Sequence, residues 1–265
     1  MFQQPIDFRD ESEALYHVLA ELPEADFARR TQFKGWTIDD VVRHLHFWNR
    51  AADLSLNDPG GFQDLLARAL PEMAKGRGFR EVEADLLAGR PGRARLEQWR
   101  QFYLGMTERF LAADPKQRVA WAGPDMSARS SISARHMETW AHGQEIYDLL
   151  GRECAHTDRI KNIAELGVRT FAWSYANRGR TVPSPAPRVR LIAPSGTPWT
   201  WNEDEAENRI EGSAVDFCKV VTQVRNVADT GLVVAGPVAI DWMAIAQCFA
   251  GPPQEPPAPG TRYAE

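Results

Sequence analysis

The stretch Thr37-Ile38-Asp39-Asp40-Val41-Val42-Arg43-His44-Leu45-His46-Phe47-Trp48-Asn49-Arg50-Ala51-Ala52 decides the fold. Thr37 is a good N-cap, and Asp39 and Asp40 stand in the first turn, where the helix dipole favours acids. At about 100° per residue, Val41, Leu45, Trp48 and Ala52 form one apolar stripe, and His44 lies inside it. His46 sits about 200° round from His44, with Arg43, Asn49 and Arg50, on what reads as the wet side. A second stretch, from Ser131 to Leu150, has the same grammar. Ala134, Glu138, Ala141, His142, Glu145 and Leu149 share one face, and its small and apolar members mark it as the inner one. His136 falls off that face and reads as exposed.

Outward from these two helices, residues 1–155 read as mostly helical. Asp7–Leu22 carries Ala14, Leu15, Val18, Leu19 and Leu22 at helical spacing, with Pro23 just beyond. The run Asn57-Asp58-Pro59-Gly60-Gly61 is a break. Shorter helices are expected at Phe62–Met73 and Glu81–Leu87, and a long one at Arg93–Ala113. Trp121-Ala122-Gly123-Pro124-Asp125 reads as a turn, after which Ser130 or Ser131 caps the last helix. Four principal helices are the inventory of a bundle.

Residues 156–265 change character. Thr157 opens a helix to Asn177, and a Pro-rich connection follows. Arg188–Ala193, Pro198–Trp201, Asn208–Glu211 and Leu232–Ala235 read as short strands, and Ala214–Val227 and Val238–Phe249 as helices. The tail from Gly251 is too rich in proline to fold alone and reads as extended or mobile. The fold class is therefore mainly α, with a helical bundle followed by a small α+β domain.

Composition narrows the functional classes. The chain of 265 residues has 31 Lys and Arg against 36 Asp and Glu, a net charge of −5, which is no electrostatic footprint for nucleic acid or an anionic membrane. Cys154, Cys218 and Cys248 form no CxxC pair, which argues against a disulfide scaffold or an all-cysteine zinc site and for a reducing, cytoplasmic setting. The first residues carry no basic-then-apolar signal pattern, and no run approaches the ~18–20 apolar residues of a membrane span. A small-molecule partner fits best, and the oligomeric state is not readable. Any transition-metal site must come from histidines and carboxylates. Of the six histidines, His17 and His156 show no ligand-spaced partner and read as surface residues.

Burying Glu138 and Glu145 unpaired would be costly. A cation held by His44, Glu138 and His142 relieves that cost. It also makes a His₂–carboxylate set of the kind that holds catalytic zinc with one position left open. Taken singly, His44 also reads as a hydrogen-bonded core histidine, and Glu138/His142 as a helix-surface pair. With both on inner faces of one bundle, the metal reading stands beside these alternatives.

The same residues carry a family resemblance. Gly35-Trp36-Thr37-Ile38-Asp39-Asp40-Val41-Val42-Arg43-His44-Leu45 resembles the G-W-T-x-x-[DH]-V-x-x-H-L signature of the mycothiol-dependent maleylpyruvate isomerase N-terminal domain, one of the DinB/YfiT-like metal-binding four-helix bundles. Arg135 to Glu145 resembles the R-x-x-E-x-W-x-H-G-x-D element of that family. Gly212–Cys218, Thr222–Arg225 and Gly236-Pro237 to Trp242 are similar to the second domain of a related subgroup. The resemblance implies a divalent metal, zinc in most members, on His44, Glu138 and His142. It implies a low-molecular-weight thiol such as mycothiol, and isomerase or S-transferase chemistry on a small organic acid or electrophile. Glu145 stands where the family has Asp, and would orient His142 or shuttle a proton. Arg225 matches an arginine used near the isomerase active site and would bind a substrate carboxylate. Its blander role is a surface charge at a helix C-terminus. Cys218 and Cys248 read as core. The alternative function is a non-catalytic metal- or ligand-binding accessory module. A zinc anti-sigma role is disfavoured, because no cysteine lies near the ligands.

Overall fold

Thr37 caps the second helix as its sequence demands. Its Oγ1 accepts from the Asp40 N–H at 3.0 Å, and the Asp40 carboxylate accepts from the Thr37 N–H at 3.0 Å, a reciprocal capping box. The computed structural model describes residues 2–87 and 89–264. They form two compact units, the first ending at Leu149 and the second starting at Leu150. The division falls slightly before the 155/156 boundary expected from the sequence.

In the first unit, α1 (Gln4–Ala20), α2 (Ile38–Asn57), α5 (Arg93–Ala112) and α6 (Ala128–Leu149) pack as a four-helix bundle, with α1 and α2 each against both α5 and α6. Phe8, Leu19, Leu45, Trp99, Tyr103, Phe110 and Trp140 fill its core. Two shorter helices, α3 (Pro59–Ala74) and α4 (Phe79–Leu86), lie along α2. The break read at 57–61 is only a corner. Asp58 ends α2 and caps α3, accepting from the Gly61 N–H at 3.0 Å, and Pro59 takes the first position, where its missing N–H costs nothing. A two-residue ladder, β1 (Arg118–Val119) against β2 (Met126–Ser127), frames the expected turn. It feeds directly into α6, so that helix starts earlier than read, and the Ser127 hydroxyl accepts from the Ser130 N–H at 3.1 Å.

Two histidine readings need correction. His46 and His136 are buried, at 7% and 0% exposure, rather than exposed. The helical wheel assumed one inner face per helix. But α2 is packed by α3, α4, α5 and α6, and α6 is buried almost all round. His46 meets Phe102 of α5 edge-on at 5.3 Å, and His136 Nε2 lies 3.7 Å from Glu11 of α1. His17 is exposed as read, but it does have an acidic neighbour, Glu13, at 3.7 Å.

The second unit contains α7 (Lys161–Arg169), α8 (Phe171–Ala176), α9 (Ala214–Val221) and α10 (Pro237–Ile245) beside a four-stranded sheet. The sheet order is β4 (Pro198–Trp201), β3 (Arg188–Ile192), β5 (Arg209–Ser213), β6 (Val233–Ala235). β3 pairs antiparallel with β4 and parallel with β5, and β5 pairs antiparallel with β6. Val189, Leu191, Trp199 and Ile210 alternate inward along the strands and are buried, as are Phe217 of α9 and Trp242 of α10. The single helix expected over 157–177 is a 3₁₀ turn followed by α7 and α8, parted at Thr170, whose hydroxyl donates back to the Leu166 carbonyl at 2.8 Å. α9 is shorter than read. Gln223 takes a left-handed φ of 57°, and the Val224 N–H reaches back to the Lys219 carbonyl at 2.9 Å, a helix stop made without glycine. Arg225 thus lies beyond the helix. The tail has no regular structure, in line with the extended alternative of its sequence reading, and side chains of the second unit hold it. Gln254 N–H donates to Gln247 at 2.9 Å, Asn226 donates to the Pro257 carbonyl at 2.9 Å, and Asp229 accepts from the Gly260 N–H at 2.9 Å.

Candidate metal centre

Three elements of the first unit converge on one cluster. His44 comes from α2, Glu138 and His142 from successive turns of α6, and Glu83 from α4. One donor atom from each of His44, Glu138 and His142 lies within 4.8 Å of the other two. Both imidazoles aim Nε2 at the same oxygen, Glu138 Oε2, from 3.3 Å for His44 and 3.5 Å for His142. Each imidazole is tied at its other nitrogen to a separate carboxylate. His44 Nδ1 lies 2.7 Å from Glu83 Oε1, and His142 Nδ1 lies 3.1 Å from Glu145 Oε2. This is the arrangement by which outer carboxylates fix the tautomer and direction of metal-binding histidines. Trp48 Nε1 also donates to Glu83 Oε1, at 2.9 Å.

A tight loop before α2 walls the cluster. Lys34 and Gly35 both adopt left-handed backbone, with φ of 52° and 64°, and this reverses the chain so that Trp36 faces α6. The Trp36 ring stacks on His142 at 5.8 Å and 7°, and Phe33 meets His142 edge-on at 5.1 Å. Phe79 and Trp48 approach His44 at 6.4 Å and 6.3 Å. The Glu138 side chain keeps 19% of its surface exposed, the most open of the three candidate ligands.

The electrostatics follow from this packing. Burial alone would lower the His142 pKa, but Glu145 and Glu138 outweigh it and push it up to about 10. Burial likewise works against the charged form of His44, and Glu83 and Glu138 reverse the sign, so its pKa is raised. Burial would raise Glu138, but His142, His44 and Arg135 hold it well below the usual carboxylate range. Glu83, Glu138 and Glu145 bring three negative charges into a desolvated pocket and Arg135 one positive charge. Two protonated imidazoles, or one divalent cation between neutral imidazoles, restore balance. The donor set therefore fits a divalent ion by geometry, ligand chemistry and charge.

Of the residues singled out by sequence, His44, Glu138, His142 and Glu145 are gathered in this cluster. Arg225 belongs to the second unit, where its Nη1 donates to the Val224 carbonyl at 3.1 Å. Glu83 was missed. Its signal was its place on the apolar stripe of α4, beside Phe79, Val82 and Leu86, where a carboxylate needs an inward partner. Cys218 and Cys248 are buried, as read, and burial pushes the Cys218 thiol pKa well up.

Among known proteins, residues 8–147 match the model of the mycothiol maleylpyruvate isomerase N-terminal domain, more than half of the chain. Two uncharacterized proteins of Mycobacterium tuberculosis, one from each of two strains, are 39% identical over 247 residues, covering 93% of this chain and 95% of theirs. Two crystal structures of the mycothiol-dependent maleylpyruvate isomerase share the fold. One, of a point mutant, has a TM-score of 0.52 at 14% identity and covers 82% of this chain and 87% of the other. The second has a TM-score of 0.51 at 15% identity and covers 88% and 91%. The chain thus shares the fold of that isomerase, and it belongs to the mycothiol maleylpyruvate isomerase N-terminal domain family.

Proposed function

We propose that this protein is a divalent-metal enzyme, with zinc the expected ion, that works with a low-molecular-weight thiol, mycothiol being the family's, as an isomerase or S-transferase. Its substrate is a small organic acid or electrophile. The observation that carries the reading is the convergence of His44 Nε2, His142 Nε2 and Glu138 Oε2, with each imidazole fixed from behind by its own carboxylate. A divalent ion in this set supplies Lewis acidity, which favours the ionised form of a thiol or water brought to it.

The chain's residues do the rest. Glu83 and Glu145 hold the Nδ1 protons and so keep both Nε2 lone pairs toward the cluster. Glu145 is also the group placed to take or return a proton through His142. Phe33, Trp36 and Phe79 limit water around the imidazoles, which strengthens every charge interaction inside. Arg225 is assigned to a carboxylate of the substrate. The sulfur nucleophile comes from the small thiol, because the raised pKa of Cys218 makes that buried thiol a poor one. A reducing, cytoplasmic setting suits such a co-substrate.

The test is a thiol screen on the metal-loaded full chain, with mycothiol and glutathione, against maleylpyruvate and a panel of small electrophiles. Turnover that needs both metal and thiol supports the enzyme. Tight thiol or ligand binding without product would instead make the protein an accessory binding module.

A further inference from the structure

Arg135 is the odd member of the centre. It lies one turn before Glu138 on α6 and is 4% exposed. Among the described residues its one ion pair is loose, Nη2 to Glu138 Oε1 at 3.8 Å, and Nε and Nη1 are buried with no hydrogen-bond partner. Glu83 Oε2 is also buried without a hydrogen-bond partner among the described residues, although Glu83 Oε1 takes two donors. Native interiors leave few such groups unmatched, because each costs about 1–3 kcal/mol. A guanidinium is a planar fork of five N–H donors, matched to the in-plane lone pairs of a carboxylate. This one sits on the Oε1 side of Glu138, while Oε2 faces the imidazoles. An anion held there would therefore lie one carboxylate's width from the candidate metal position. The Trp121 ring lies beside the guanidinium, its centre 5.7 Å from Cζ. Trp121 is half-buried, stacks on Phe62 at 6.0 Å and packs against Trp48 at 5.6 Å, so its fluorescence reports on what enters beside the guanidinium.

We propose that Arg135 is an anion-binding residue of this site, receiving a carboxylate of a small organic anion whose reacting end lies at the His44–Glu138–His142 cluster. The location of the reacting end rests on the metal-enzyme reading above. The anion receptor itself does not.

The experiment titrates the purified full chain with succinate, and with neutral succinamide as control, by calorimetry and by tryptophan fluorescence, with metal content measured on the same samples. Saturable succinate binding accompanied by a fluorescence change is expected, with none for succinamide. Arg135→Gln should bind succinate about 10–100-fold more weakly at unchanged metal content, and Arg135→Lys should lie between. Trp121→Phe leaves the guanidinium in place, so calorimetric binding should persist while most of the fluorescence change disappears. This second variant keeps the proposal testable if Arg135→Gln fails to fold. Arg135→Gln binding succinate like the wild type would overturn the proposal. So would an undiminished fluorescence change in Trp121→Phe. A loss of metal with unchanged anion binding would make Arg135 merely a positioning residue for Glu138. A protein without metal that still loses succinate binding in Arg135→Gln would sink the metal reading and keep the anion receptor.

Discussion

Glu83→Gln is the perturbation that isolates the outer carboxylate from the ligands. The Glu83 side chain is fully buried and accepts from His44 Nδ1 at 2.7 Å and from Trp48 Nε1 at 2.9 Å. The glutamine keeps the shape and one acceptor oxygen but removes the charge that holds the His44 proton. A hydrogen bond to a charged group contributes about 1.5–3 kcal/mol. Outer-carboxylate losses at metal sites cost about 10–100-fold in affinity, which is about 1.4–2.7 kcal/mol. The two routes agree, so Glu83→Gln should bind zinc about 10–100-fold more weakly, with stoichiometry unchanged. Alanine is a poorer choice, because it would leave two buried N–H donors unmatched and destabilise the fold as well. Competition against a chromophoric chelator measures the affinity, and a thermal melt of the metal-free protein controls for folding. Wild-type zinc affinity in a folded Glu83→Gln protein would show that the 2.7 Å contact does not direct His44.

Three further predictions bear on other links. Arg225→Ala should lower kcat/KM about 10–100-fold while metal content stays at the wild-type level; unchanged kinetics would remove Arg225 from the mechanism. Glu13 joins α1 to α5, accepting from Arg100 Nε and Nη2 at 3.0 Å each and from the Tyr103 hydroxyl, and the Arg100 bonds hold its pKa below that of an ordinary glutamate. Its stabilisation is present above the unfolded pKa and is lost as pH falls through the folded one, so Glu13→Gln should be less stable near neutral pH, with a shallower acid limb in denaturant melts. An acid limb as steep as the wild type's would assign the loss to other carboxylates. Gly167 of α7 packs on α9 so closely that an added Cβ would come within 2.8 Å of Val221 Cγ2 and 3.0 Å of the Phe217 ring. Gly167→Ala should therefore destabilise by about 1–3 kcal/mol despite its better helix propensity, and a raised melting temperature would contradict the packing.

What could be read in advance divides along physical lines. The long helices were legible because local chemistry writes their ends, as Thr37 and its acidic first turn do for α2, whereas Asp58-Pro59, which starts α3, was read as a break. His44, Glu138 and His142 were legible as inward-facing because they share stripes with small and apolar residues, and the structure brings those stripes together. His46 and His136 were misplaced because α2 and α6 are packed on several sides, and how many neighbours a helix has is a tertiary fact that periodicity does not carry. Glu83 stayed hidden because its partner His44 is 39 positions away and α4 is a short helix in a glycine-punctuated region. The end of α9 was overrun because Gln223, not glycine, takes the left-handed turn. Whether the tail is extended or mobile stayed open because its anchors, Gln247, Asn226 and Asp229, are polar side chains whose targets only the fold defines.

The central claim is that His44, Glu138 and His142 hold one divalent ion. Elemental analysis of the purified full chain tests it most directly, alongside His44→Ala and Glu138→Ala, with circular dichroism to confirm that each variant is folded. About one divalent ion per wild-type chain is expected, with its loss from both variants, since removing one of three protein ligands breaks the set. A metal-free wild-type protein that takes up no added zinc, or full retention of the ion in both folded variants, would contradict it.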